Sequence, residues 1–406
     1  MPELLRLAAR NVFRHRGRSL MTLGSIAFGV VALILAGGFI KDTIDELGES
    51  MIHSQSGHLQ VSREGYREHA AGDSAAYLMR EPQALRSRLA ALNGVDEVLL
   101  RLVFTGLLNN GHNDWAIAGE GIEPAPEARL GTYLNVSRGR QLAADDAYGM
   151  MIGAGVADAL DLAPGDWVNL LTNTPDGAVN VLEFEIIGVF QSFSKDYDAR
   201  AVRIPLAAAQ ELIGANGAHL AVMVLAHTEH TDTVKSAVEA AATGEGFAVH
   251  DWKSLNPFYE QTVQLYQQQF GFLVAVILLM VALSVGNAIN MNVHERAGEF
   301  GTMMACGAPR AEVFRLIIAE SALLGLSGAL LGVAVGNVLA AIISAIGIPM
   351  PPPPNSDLGY ISLIRLSVPV TLLSGLIGVL APVAAALRPA LRAARADIAV
   401  ALRQAI

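Results

Sequence analysis

NMNVHERAGEFGTMMACGAPRAEVFRLIIAES, residues 290–321, is a short charged segment set between two long apolar runs, and the rest of the chain is read outward from it. Its spacing predicts a helix laid across the mouth of a membrane protein. Glu295, Arg296 and Glu299 fall on one side at helical intervals, while Phe300, Met303 and Met304 supply an apolar patch suited to another protein's groove. Gly307 and then Pro309 stop that helix before the next apolar run. On pattern alone, an ordinary loop with a few hydrophobic residues is the other reading.

The flanking sequence decides which solvent the chain occupies. Of 406 residues, 52% are apolar and only 16% charged, too apolar for an ordinary soluble protein. The runs 19–40, 270–291, 321–350 and 367–387 carry no charge over 22, 22, 30 and 21 residues. A hydrocarbon core ~30 Å thick needs about 20 helical residues, so each run predicts a transmembrane helix. The expected fold is a membrane protein of four transmembrane α-helices, with a large α+β extracytoplasmic domain inserted between helices 1 and 2.

Arginine placement orients it. Arg6, Arg10, Arg14, Arg16 and Arg18 precede the first run; Arg296 and Arg310 follow the second; Arg388, Arg392, Arg395 and Arg403 follow the fourth. Positive charge beside membrane spans is retained in the cytoplasm, so both termini and the Glu295 loop are expected inside. Residues 42–265 hold 31 acidic against 14 basic side chains, and the remainder 7 against 14, which together give the net charge of −10. An acidic external domain and a basic inner face argue against a nucleic-acid partner. The one cysteine, Cys306, lies in the inner loop, so the external domain folds without an internal disulfide. The run from Arg18 to Ile40 is too long for a cleaved secretory signal and reads as a retained anchor.

In chain order, the expected parts are a cytoplasmic amphipathic helix (1–18), helix 1 (19–40) and an extracytoplasmic domain (41–269) with a β-rich insert at about 148–215. Helix 2 (270–291), a cytoplasmic loop (292–313), helix 3 (314–350), an external loop (351–366), helix 4 (367–387) and a cytoplasmic tail (388–406) follow. Within the amphipathic segment, Arg6, Arg10 and Arg14 recur four apart, with Leu4, Leu5, Ala8 and Val12 on another face. Residues 42–55 read as a helical stalk. Strands are expected at 57–61, 95–108, 150–153, 167–171, 182–190, 201–204, 220–226 and 247–251, with helices at 81–92 and 231–242. The strand, helix, strand return after residue 220 suggests an open α+β layer interrupted by the insert.

Three separated motifs then carry a resemblance. Glu295-Arg296-x-x-Glu299-Phe300-Gly301, with Ala305-x-Gly307 and Glu320, resembles the core signature of the FtsX-like permease domain in the MacB, LolC and LolE group of ABC transporters. Arg10-Asn11-x-x-Arg14 resembles that group's amino-terminal signature, and Arg388-Pro389-Ala390 through Ala401-Leu402-Arg403 its carboxy-terminal one. Met151-Ile152-Gly153, Gly165-Asp166 and Ile187-Gly188-Val189-Phe190 resemble its extracytoplasmic domain, so the likeness covers the whole chain. Gly57-His58-Leu59-Gln60-Val61 is closer to the lipoprotein-releasing branch; Phe300 stands where the family more often has isoleucine.

The resemblance implies a dimeric mechanotransmission permease driven by a separate cytoplasmic ATPase dimer that holds ATP and Mg, with a second copy or a related permease as its pair. No Gly-x-x-x-x-Gly-Lys-Ser/Thr phosphate loop occurs, which agrees with no nucleotide site on this chain. The expected ATPase-coupling residues are Glu295, Arg296, Glu299, Phe300, Met303, Met304 and Gly307. The expected substrate is a lipoprotein, lipid or other amphipathic molecule of the bacterial inner membrane, passed to a periplasmic acceptor. Leu35, Phe39, Phe270 and Val274 would form the wall that meets lipid tails. The alternative is an FtsX-like signalling device that activates an external cell-wall hydrolase without transport.

Other features read as structural. Gly328, Gly332 and Gly336 recur four apart in helix 3 and permit close packing, either within the four-helix set or at a dimer seam. Glu320 at the inner boundary is expected to pair with Arg315 or a backbone group. His53, His58 and His69 with Asp73 match no tetrahedral metal spacing, and Gly153-Ala154-Gly155 is no phosphate loop.

Overall fold

The computed structural model describes residues 7–8, 10–11, 16–69, 75–131, 133–192, 194–242, 246–351 and 359–396. Leu4, Leu5, Arg6, Val12, Arg14, Asp73, Pro352 to Pro354 and the tail from Asp397, including Ala401 to Arg403, lie outside them. The chain divides into two compact units. One holds Met1–Ile44, Thr262–Pro349 and Ile361–Ile406; the other holds Asp45–Gln261 and Met350–Tyr360.

Among the described residues, four helices are long and apolar enough to cross a membrane. They run Arg16–Met51, Pro257–Glu295, Arg310–Ile346 and Val368–Ala394 and are called here the first to fourth membrane helices. Lys41 and Asp42 end the uncharged run without breaking the first helix, which closes in a π-helical turn, Ile52–Ser56. Polar side chains at a helix end cost nothing in backbone hydrogen bonding, so charge marks where the apolar run stops and not where the helix does. Pro369 opens the fourth helix, where its missing N–H has no partner to lose.

Small residues set the packing of this unit. A Cβ added at Gly328 would lie 2.8 Å from Ile26 Cβ, one at Gly332 2.7 Å from Val30 Cβ, and one at Gly336 3.0 Å from Ile34 Cδ1. The glycine stripe of the third helix is therefore filled by the first helix of the same chain. At the other end, the segment around Ser362 to Arg365 crosses the first helix. Leu363 N–H donates to buried Asp42 (2.7 Å), Ser362 Oγ also reaches it (3.2 Å), and Arg365 N–H donates to Gly38 O (3.2 Å).

The other unit is built on one ten-stranded sheet. Its strands are β1 (Leu59–Arg63), β2 (Val95–Asn109), β3 (Asp114–Ile122), β4 (Asn135–Gly139), β5 (Gly149–Gly153), β6 (Trp167–Asn173), β7 (Val179–Gln191), β8 (Ala201–Pro205), β9 (Leu220–Leu225) and β10 (Phe247–Asp251). The order is β10-β1-β9-β2-β3-β8-β5-β7-β4, with β6 paired to β2 and β7. Only β3–β8 and β5–β7 are parallel among the described pairs. β2 is the shared strand: Val95 to Arg101 pair with β9, and from Leu102 onward it pairs with β3. Strands β3 and β4 precede the expected insert, yet pair with β8 and β7 inside it. β3 reads DWAIAGEGI, in which alanine and glycine give little strand signal; its neighbours on both sides impose the conformation. Separate apolar cores lie under the two halves, one around Leu102, Phe184 and Ile204, the other around Leu59, Leu100 and Met223.

His58 immediately precedes this unit's first strand and is 1% exposed. Leu225 N–H donates to its Nδ1 (3.2 Å), so Nε2 carries the proton and donates to Thr228 Oγ1 (3.0 Å), which donates to Glu49 (2.7 Å). Burial, with His53 beside it, pushes the His58 pKa down to about 4. The unfolded chain titrates this residue near its ordinary value of about 6.5, so between the two values the unfolded state binds more protons. Stability then falls as pH drops through that window, by about 3 kcal/mol. Trp115, Trp167 and Trp252 all lie in this unit, so tryptophan fluorescence of the intact chain reports on it. His58→Gln is expected to flatten the loss of stability between pH 6.5 and 4; an unchanged slope would refute the assignment.

Candidate functional site

The second membrane helix ends at Glu295, and Arg296 leaves helical geometry (φ −101°, ψ 13°) before the connecting helix, Ala297–Ala305. Gly307 N–H donates to Met304 O (3.1 Å) and Ala308 N–H to Met303 O (3.0 Å). These are the two bonds of a Schellman stop, and they require the left-handed Gly307 (φ +94°). Pro309 then caps the third membrane helix. The helical path is thus interrupted twice within the quoted stretch, at Arg296 and at Gly307.

Arg296 is 6% exposed and serves as the hub. Its Nη1 lies 2.9 Å from both carboxylate oxygens of Glu320, and its Nε donates to Glu299 (2.9 Å). Asn11 Nδ2 donates to the same Glu320 (2.7 Å), and the guanidinium lies 5.0 Å from the centre of the Phe300 ring. Glu320, also 6% exposed, is therefore held by Arg296 and Asn11; Arg315, its expected partner, is not the residue that holds it. Pairing is what makes burial of both charges tolerable. Two of the motifs quoted for the family meet here. Asn11 comes from the amino-terminal one, and Arg296 and Glu320 from the core one.

The expected outward apolar patch is corrected. Phe300 and Met304 are 2% and 7% exposed and pack with Val285, Ile289, Val313 and Ile317 in the chain's own core. Once the helix is short and closes back on the third membrane helix, its apolar side is the one that must be covered. Met303 is half-buried, and the surface that remains carries Glu295, Glu299, Cys306 and Gly307. Arg296 points away from that surface.

Leu35, Phe39, Phe270 and Val274 are all half-buried. The Phe270 ring lies against Gly37, where a Cβ would stand 3.3 Å from its Cζ. On the second membrane helix the exposed apolar side chains include their neighbours Phe272, Val276, Leu279, Met280 and Leu283. Gly328, Gly332 and Gly336 of the third membrane helix pack against the first, as described above. Among the described residues no group of three or more His, Cys, Asp or Glu is arranged to hold a metal ion.

A second buried ionic cluster, in the sheet-bearing unit, was not singled out in the sequence. It joins Arg101, Arg203, Glu120, Glu127 and Tyr197. The available signal was an arginine in mid-strand between apolar neighbours, Leu100-Arg101-Leu102 and Val202-Arg203-Ile204.

Comparison with known proteins agrees with this architecture. Residues 19–241 match the MacB-like periplasmic core domain, and residues 271–398 the FtsX-like permease C-terminal region. An uncharacterized ABC transporter permease of Methanocaldococcus jannaschii is 21% identical over 85% of this chain and 85% of its own. The lipoprotein-releasing system transmembrane protein LolC of Xylella fastidiosa is 25% identical over 95% of this chain and 93% of its own. The macrolide export ATP-binding/permease protein MacB of Hyphomonas neptunium is 24% identical over 85% of this chain, which spans 54% of that protein. With one family covering more than half its length and the second following in the same order, the chain belongs to the MacB, LolC and FtsX family of ABC transporter permeases.

Proposed function

We propose that this chain is the permease subunit that takes up the motion of a separate cytoplasmic ABC ATPase and delivers it to an extracytoplasmic domain. In this way it extracts or exports a lipoprotein, lipid or other amphipathic molecule. The observation that carries the reading is the connecting helix. It is fastened from behind by Arg296 and Glu320, and its Glu299, with Glu295 at the end of the second membrane helix, is offered to solvent. A short connecting segment that presents two carboxylates between two membrane helices is suited to push and be pushed by a basic groove. ATP and Mg belong to the ATPase partner in this reading. The permease pairs with a second copy or a related permease, in a bacterial inner membrane with both termini inside.

Near-complete coverage of a LolC relative supports an amphipathic cargo. Leu35, Phe39, Phe270 and Val274 form the wall offered to its acyl chains, and an external acceptor receives it. Charge reversal of the two outward carboxylates, Glu295→Lys with Glu299→Lys, is expected to leave the permease folded while abolishing its retention of the ATPase and any stimulation of ATP hydrolysis. The complex purified through the tagged chain, assayed for bound ATPase and turnover, tests this; undiminished coupling would sink the proposal.

A further inference from the structure

Arg101 and Arg203 are 1% and 2% exposed, on strands β2 and β8. Buried guanidinium groups are costly unless their charge is balanced and their donors are used. Glu127, on the helix Pro124–Leu130, accepts from Arg101 Nε (3.2 Å) and from its Nη2. Glu120, the cross-strand neighbour of Arg203, lies 3.2 Å from that residue's Nε. The Tyr197 hydroxyl donates to Glu120 (3.0 Å) and accepts from Arg203 Nε (3.3 Å). Burial alone would raise the Glu120 carboxyl, but the two guanidinium groups and the Tyr197 hydroxyl hold it below the usual range.

Arg203 Nη1 lies 3.6 Å from Glu127, and each guanidinium also donates to main chain. Arg101 Nη1 donates to Gln55 O, and Arg203 Nη2 to Ser54 O (3.1 Å). Those carbonyls belong to the π-helical turn that ends the helix starting at Arg16. A helix end leaves carbonyls without intrahelical donors, and here the neighbouring ones are also taken up. Ser56 Oγ donates to Met51 O (3.1 Å), Gly57 N–H to Ile52 O (2.9 Å) and Gln60 Nε2 to Ser56 O (2.8 Å). The grip sits where the sheet changes partner: Arg101 is the last β2 residue paired with β9, and Leu102 already pairs with β3.

Well-packed apolar side chains would serve stability as well as these four charges do. What they would not do is hold two specific carbonyls in one orientation. We infer that Arg101 and Arg203 are positioning residues, through which a shift or rotation of the incoming helix reaches both halves of the sheet at once. This rests on the proposed coupling function and names the joint that serves it.

The test is hydrogen exchange with mass spectrometry on the complex purified through the tagged chain, nucleotide-free against trapped with ATP and vanadate. The wild type is expected to show a nucleotide-dependent difference in residues 45–56 and in β2, β8 and β9. Arg101→Met with Glu127→Leu removes one charge pair while keeping neutrality. It is expected to keep the tryptophan-detected melt within a few degrees and the difference in 45–51, and to lose the difference in the strands. Arg203→Lys keeps the charge against Glu120 but lacks the fork that also reaches Ser54 O. It is expected to reduce the strand response at least twofold, and it serves as the readout if the double variant does not fold. Variants that respond throughout the sheet as the wild type does would overturn the joint alone. A wild-type complex with no nucleotide-dependent difference anywhere would overturn the coupling function, and this inference with it.

Discussion

Arg296→Ala is expected to destabilise the membrane unit by about 3–5 kcal/mol, because it strands a buried carboxylate. Among the described residues, Glu320 would keep only the Asn11 amide as a side-chain donor. The measurement is unfolding of the full chain in mixed detergent and SDS micelles. Glu320→Gln, which leaves the guanidinium with Glu299 alone, should cost less, since Glu299 is exposed and water shares the charge. Arg296→Met with Glu320→Leu is expected to recover most of the stability lost in Arg296→Ala, since two apolar side chains of similar volume leave nothing unpaired. That double variant separates the two roles of the pair. If it is stable yet no longer retains or stimulates the ATPase, the pair acts by orienting the connecting helix. If it couples normally, Arg296 and Glu320 are structural alone.

The second large effect is steric. Gly332→Ala puts a methyl group 2.7 Å from Val30 Cβ and 2.9 Å from Ala27 O, and Gly328→Ala puts one 2.8 Å from Ile26 Cβ. Neither a Cβ nor a backbone oxygen can turn aside, so the first and third membrane helices must separate. Overpacking of this kind costs about 1–3 kcal/mol. Gly336→Ala meets Ile34 Cδ1 at 3.0 Å, the free end of a side chain that can change rotamer, and is expected to cost least of the three. Leucine at 332 should prevent the four-helix unit from assembling. Thermal stability by size-exclusion chromatography in detergent gives the order. An equal penalty at all three positions, or a loss of oligomer mass with the monomer unharmed, would show that the stripe faces another chain.

These expectations divide according to how local their physical causes are. Four uncharged runs, each long enough for a hydrocarbon core, mark the four membrane helices, since hydropathy is a property of composition over a window. The stop at Gly307 was legible for a similar reason. A left-handed residue is needed where a helix ends, and glycine takes that conformation without strain. The Glu320 partner was not legible in this way. Arg315 is near in sequence, but Arg296 and Asn11 arrive from other helices, one of them 309 positions away. Likewise, Phe300 and Met304 could be recognised as an apolar face; whether that face turned to another protein or to this chain's own membrane helices depended on the breaks at Arg296 and Gly307 that bracket it.

Strand assignment shows the same division. The strands of the later half, such as Val179–Gln191 and Leu220–Leu225, announce themselves through branched and apolar side chains. Asp114–Ile122 does not, and it becomes a strand because β2 and β8 offer it hydrogen bonds on both edges. Sequence alone thus determined the solvent of each segment, the count of membrane helices and the places where the backbone must turn, because single residues and short windows carry those preferences. Tertiary structure alone decided which charges are paired, which apolar faces are already covered and which carbonyls Arg101 and Arg203 hold. Those outcomes depend on distances between segments that no local preference encodes.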